Sequence, residues 1–128
     1  MGHRLTRMLL RASVDVKNPT ALSDALIDAV IVNGKRSHAG EAFAATQRWA
    51  VNGGPGVWSL LSRLPQVEAK TLILAGRNDK VVPVADSIGA AQLIRDAELR
   101  ILEPCGHWLA RDCPAEFVDA TNQFLDAA

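Results

Sequence analysis

Cysteine is scarce in this chain: Cys105 and Cys113 are the only two among 128 residues, too few for a disulfide framework. Net charge is absent as well. Fourteen Lys and Arg balance fourteen Asp and Glu, and no basic cluster breaks the balance, which argues against a nucleic-acid partner or an anionic membrane surface. No apolar run approaches membrane-spanning length. Met1-Gly2-His3-Arg4 lacks the apolar stretch and small-residue cleavage site of a secretory signal, so a cytoplasmic location is the default expectation. Internal repeats and low-complexity segments are missing too. What is present is an ordinary globular composition, 48% apolar and 22% charged, long enough for one domain with a modest core.

The most informative stretch is Thr71-Leu72-Ile73-Leu74-Ala75-Gly76-Arg77-Asn78-Asp79. Its apolar run has no polar alternation and stops at Gly76, the pattern of a strand covered on both faces in a parallel sheet. Asp79 then stands just past the carboxyl end of that strand, where open α/β folds place their chemistry. Glu98 to Glu103 reads as a second short strand, followed by the turn Pro104-Cys105-Gly106 and then His107. Between the two, Val84, Ile88, Ala91 and Ile94 mark a crossover helix of the kind that joins parallel strands. An acid after one strand and an imidazole after the next can meet at one rim of the sheet.

Upstream the chain reads as helical. Leu5, Met8, Leu9 and Ala12 follow amphipathic spacing, and Leu22, Ala25, Leu26, Ala29 and Val30 repeat it, with Ser23 and Asp24 at the start and Asn33-Gly34 at the end. Glu41 to Val51, with Phe43 and Trp49, predicts a third helix. Asn52-Gly53-Gly54-Pro55-Gly56 breaks the pattern; no preceding strand and no following Gly-Lys-Ser/Thr make it a phosphate cradle, so it is a turn. Val57 to Leu64 reads as a short helix. At the other end, Pro114 suits the first position of a last helix whose inner face is Phe117, Val118, Thr121, Phe124 and Leu125. Residues 1–63 are therefore expected to be all-helical, and 64–128 strand–helix–strand–helix.

Leu72 to Pro83, followed by Cys105-Gly106-His107-Trp108, resembles the C-terminal part of α/β-hydrolase-fold enzymes. The resemblance is specific from about Leu64 to Leu125. It implies an α/β fold in which 1–63 is a helical cap or lid segment and 64–128 the end of the hydrolase core. It also implies that Asp79 and His107, 28 residues apart, are the acid and base of a Ser–His–Asp triad. No cofactor is implied. The Cys-Gly-His-Trp run looks like hydrolases that cleave carbon–carbon bonds in aromatic degradation products, in which the tryptophan borders the substrate pocket, so Trp108 is a candidate substrate-binding residue. Those enzymes also share a cap-helix arginine, where this chain carries Ala29 or Val30. That departure keeps an apolar ester or acyl substrate open.

Read without the resemblance, Asp79 can simply close a turn through its side chain and His107 can be a loop histidine. Cys105, His107 and Cys113 could contribute to a zinc site completed by Asp112 or water, but their spacing fits no familiar signature, and a lone cysteine is more often a small buried hydrophobe. A Cys105–His107 dyad is weaker still, because residues two apart in an extended loop point to opposite sides. No metal is expected.

The nucleophile is the gap. Ser13, Ser23, Ser37, Ser59, Ser62 and Ser87 all lie outside any Gly-x-Ser-x-Gly elbow. Loss of the nucleophile from a triad costs on the order of a millionfold in rate, so the chain alone is expected to be inactive. With two strands visible, Leu72 to Leu74 would present an unpaired apolar edge. Self-association, docking with a complementary N-terminal half, or poor stability of the isolated chain is the expected consequence. The reading from a different class is a non-catalytic interaction module derived from the hydrolase fold, working through that edge and the helices.

Overall fold

The computed structural model describes residues 3–13, 22–34, 41–42, 44–46, 48 and 60–127. Along the chain come α1 (His3–Ala12), α2 (Asp24–Gly34), a 3₁₀ turn (Leu61–Gln66), β1 (Thr71–Gly76), α3 (Val84–Leu93), β2 (Ala97–Leu102), α4 (Leu109–Asp112) and α5 (Pro114–Asp126). Residues 41–42, 44–46 and 48 are helical. The expected turn at Asn52–Gly56, the side chains of Phe43 and Trp49, and the start of the Val57–Leu64 helix lie outside the described residues.

The strand–helix–strand–helix order is present. β1 and β2 pair in parallel, from Thr71 opposite Ala97 to Gly76 opposite Leu102. Thr71 N–H to Asp96 C=O, 2.8 Å, closes one end of the pair, and Arg77 N–H to Leu102 C=O, 3.0 Å, closes the other. Both strands thus stop at the same level, and the loops that follow them emerge side by side. Leu74 packs with Leu102, Cys105, Cys113, Phe117 and Ala120 into one core cluster, and by alternation along the strand Ile73 turns to the opposite face. Lys70 sits over the Phe124 ring, 5.3 Å from its centroid, and bonds the Ala127 carbonyl, tying the end of α5 to the start of β1.

Three sequence expectations are corrected. In α5, Pro114 does open the helix, but Val118 and Leu125 are 49% and 62% exposed; the buried face runs through Phe117, Ala120, Thr121 and Phe124 instead. In α1, Leu5, Met8 and Leu9 are 43%, 59% and 48% exposed, and Leu10 packs inward against Leu22 and Ile27. α1's basic face lies toward α2 with Leu10: Arg7 bonds Asp24 and Asp28, and Arg11 bonds Asp24 at 2.6 Å. α2 is apolar nearly all round and has little phase of its own; its buried residue is Ile27, and Ala25 and Ala29 are exposed. Its start is as expected, with Ser23 Oγ accepting the Leu26 N–H at 3.3 Å.

The third correction concerns the cysteines. They are not isolated buried hydrophobes but a disulfide, Cα to Cα 5.8 Å, across a separation of 8 residues. After β2 the chain passes a cis Glu103–Pro104 bond and doubles back through α4. That return sets Cys113, at the foot of α5, against Cys105, both nearly fully buried. Among the described residues no helix is long and apolar enough to cross a membrane.

Candidate active site

Two loops leave the carboxyl ends of β1 and β2 and are fastened to each other by backbone. Asn78 N–H donates to Cys105 C=O at 2.8 Å. Beneath that bond lies Gly76, where a Cβ would stand 2.2 Å from Gly106 O and 2.5 Å from Cys105 O. Only a residue with no side chain lets the loops approach this closely. The glycine that ends the apolar run is therefore a contact point as well as a strand terminator.

This seam brings Asp79 and His107 together. Asp79 Oδ2 lies 2.9 Å from His107 Nδ1. The other oxygen, Oδ1, accepts the N–H groups of Val81 at 2.7 Å and Val82 at 2.9 Å. One oxygen thus closes the turn while the other faces the imidazole. Burial pushes the Asp79 carboxyl up, but the Val82 N–H, the His107 ring and the Val81 N–H outweigh it and leave it below the ordinary carboxylate value. An ionised carboxylate only accepts, so the contact requires a proton on His107 Nδ1, and in the neutral ring that leaves Nε2 as the lone-pair nitrogen. The Asp79 side chain is 11% exposed and His107 is 36% exposed, so the acid is sheltered while the ring stays open to an incoming group. A base oriented this way can take a proton from a hydroxyl and return it to a leaving group.

The helical segment reaches the same point. His107 N–H donates to the Ser13 C=O at 2.9 Å, just past the end of α1. Trp108, half-buried, packs against the cluster of Leu22 and Ile27 together with Leu10, Leu26 and Ile31. It stands at the junction of the α1–α2 pair and the loop that carries His107. The zinc reading loses its ligands, since the sulfurs of Cys105 and Cys113 are bonded to each other. At Ala29 and Val30, α2 offers no cation.

Sequence reasoning missed three contributors: the Ser13 carbonyl, the Cys105 carbonyl and Asp112, whose buried Oδ2 accepts the Gly106 N–H at 2.9 Å. The first two are main-chain groups with no sequence signal. Asp112, five positions after the histidine and between Arg111 and Cys113, reads in the sequence as an ordinary surface carboxylate.

No family model matches the chain. Individual proteins do. Over 104 residues it is 33% identical to a 2-hydroxy-6-oxo-6-(2'-aminophenyl)hexa-2,4-dienoic acid hydrolase of Metapseudomonas resinovorans, covering 77% of this chain and 36% of that enzyme. Over 126 residues it is 30% identical to a 2-hydroxy-6-oxononadienedioate/2-hydroxy-6-oxononatrienedioate hydrolase of Escherichia coli, covering 94% of this chain and 40% of the relative. In three dimensions 99% of the chain superposes on 48% of a serine hydrolase involved in carbazole degradation, with a TM-score of 0.86 and 27% identity. The chain spans less than half the length of each of these relatives.

Proposed function

In fold and sequence the chain corresponds to the C-terminal portion of α/β-hydrolase-fold enzymes of the meta-cleavage product hydrolase family, and on that premise we propose that Asp79 and His107 are the acid and base of a hydrolase whose nucleophile lies outside these 128 residues. The observation that carries this reading is the 2.9 Å approach of Asp79 Oδ2 to His107 Nδ1, with Oδ1 held by two backbone amides. That arrangement fixes the tautomer in which Nε2 is free, as proton abstraction from a serine requires. Asp79 steadies the imidazolium once the proton has moved, and His107 then returns that proton to the departing group. Trp108, between the base and the helical cap, forms one wall of the substrate pocket.

The substrate class is a small acyl compound: an apolar ester, or a 2-hydroxy-6-oxo-dienoate like those in the names of the relatives. The absence of an arginine at Ala29 or Val30 favours substrates that do not depend on an ion pair from that helix. The isolated chain is expected to be inactive because none of its serines lies in a Gly-x-Ser-x-Gly sequence.

The test is complementation. The purified chain is mixed with the N-terminal portion of a relative that carries its nucleophile, and hydrolysis of an aryl butyrate and of a 2-hydroxy-6-oxo-dienoate is followed. Activity that needs both parts and disappears with His107→Ala supports the reading. Turnover by the chain alone would overturn the external nucleophile, and complemented activity indifferent to His107 would overturn the base.

A further inference from the structure

Residues 105–113 form a ring closed by the Cys105–Cys113 disulfide. Its buried side consists of Cys105, Gly106, Asp112 and Cys113, whereas His107 lies on its open side. Within the ring Asp112 is the anomaly. A carboxylate only 6% exposed is costly to bury unless it accepts hydrogen bonds. Its Oδ2 takes the Gly106 N–H at 2.9 Å, a bond strengthened by the negative charge.

That N–H belongs to a particular peptide unit. The plane joining Cys105 to Gly106 carries the Cys105 C=O at its other end, and this carbonyl accepts the Asn78 N–H at 2.8 Å. One rigid plane thus connects Asp112 to the residue before Asp79, and His107 follows directly from it. Pulling on the N–H polarises the C=O, so the two bonds reinforce each other. Rotating the plane would weaken both at once and swing His107 away from Asp79. Gly76, packed against the Cys105 carbonyl of this plane and the Gly106 carbonyl of the next, blocks a compensating slide toward β1.

We propose that Asp112 is a positioning residue for His107: through the Cys105–Gly106 peptide it sets the separation of the acid-bearing and base-bearing loops. This rests on the reading of His107 as the base, but its consequence is structural and visible without turnover. The effect reaches the imidazole through the main chain; Asp112 does not touch the reacting atoms.

The experiment uses ¹⁵N-histidine-labelled chain, with His107 distinguished from His3 and His38 by a His107→Gln control. In the wild type the ring nitrogens should show a fixed Nδ1-protonated tautomer. Asp112→Ala should move both ring nitrogens toward the averaged shifts of Asp79→Asn, while Asp112→Asn, which keeps an acceptor oxygen, should retain the wild-type tautomer. A folded Asp112→Ala chain with unaltered His107 ring shifts would overturn the proposal. If Asp112→Ala does not fold, Asp112→Asn decides. Loss of the charge should shift the Gly106 amide proton upfield and carry the Asn78 amide proton with it. A Gly106 shift with Asn78 unmoved would show that the plane transmits nothing. A failed complementation assay leaves these spectra unaffected, so the two readings fail separately.

Discussion

Asp79 spends one carboxylate oxygen on two backbone amides and the other on an imidazole, so almost all of its charge is used inside the protein. Its carboxyl lies below the ordinary value in the folded chain, and a group depressed on folding contributes stability above its unfolded pKa. That contribution fades as pH falls through the folded value. Asp79→Asn removes the titration. The melting temperature of the wild type should therefore exceed that of the variant by a margin that is full above about pH 5 and closes as the pH falls below about 4. Circular-dichroism melts of both proteins across that range check it. A gap of constant size would mean that Asp79 contributes packing and not charge. Histidine-107 carries a separate expectation: His107→Ala should abolish complemented hydrolysis by about a thousandfold or more, while leaving the melt close to the wild-type one. A substantial loss of stability in that variant would instead mark the ring as a structural plug.

At the level of elements, the chain order and the meeting of the two loops were legible because they depend on local signals: an apolar run, a glycine stop, a proline start. The faces of the helices were not. α1 has strong amphipathic spacing, yet its expected inner stripe of Leu5, Met8 and Leu9 is exposed, while Leu10 packs inward and Arg7 and Arg11 pair with Asp24 and Asp28. Such pairing is tertiary and leaves no trace in periodicity. The disulfide was equally hidden, since two cysteines eight apart become neighbours only when α4 turns the chain back. It gives the His107 loop a covalent brace, and loop-closure arithmetic for a ring this size puts its worth at about 2–3 kcal/mol. Reduction should lower the urea midpoint accordingly, and a Cys105→Ala/Cys113→Ala double variant should show no dependence on reductant. The Gly76 contact makes the sharper prediction. Gly76→Ala places a methyl against two backbone oxygens that cannot rotate away, so the strand or the loop must shift, at about 1–3 kcal/mol. The same variant should loosen the His107 tautomer, which the ring ¹⁵N shifts would report. An unperturbed midpoint together with unperturbed shifts would show that the loops have more room than this contact implies.

For the whole molecule, the question is what covers β1. Leu72, Ile73 and Leu74 have the sequence of a strand buried on both faces, yet each is only half-buried here, and the sheet of the described residues has two strands. Half-covered apolar strands with a free edge pair with further chain. The relatives supply the scale, since this chain spans between 36% and 48% of their lengths. Exposed Leu5, Met8 and Leu9 add a second apolar surface. If one complementary segment covers both, a single binding event should protect both. The 128-residue chain should elute above its monomer mass at micromolar concentration, and addition of the nucleophile-bearing portion of a relative should replace that species with a one-to-one complex. Hydrogen exchange on the two samples should show new protection in β1 and α1 together. Protection of β1 alone would assign the α1 stripe to some other contact, and a chain that stays monomeric and melts cooperatively would remove the argument for a missing half, because two strands and their helices would then suffice to bury the core.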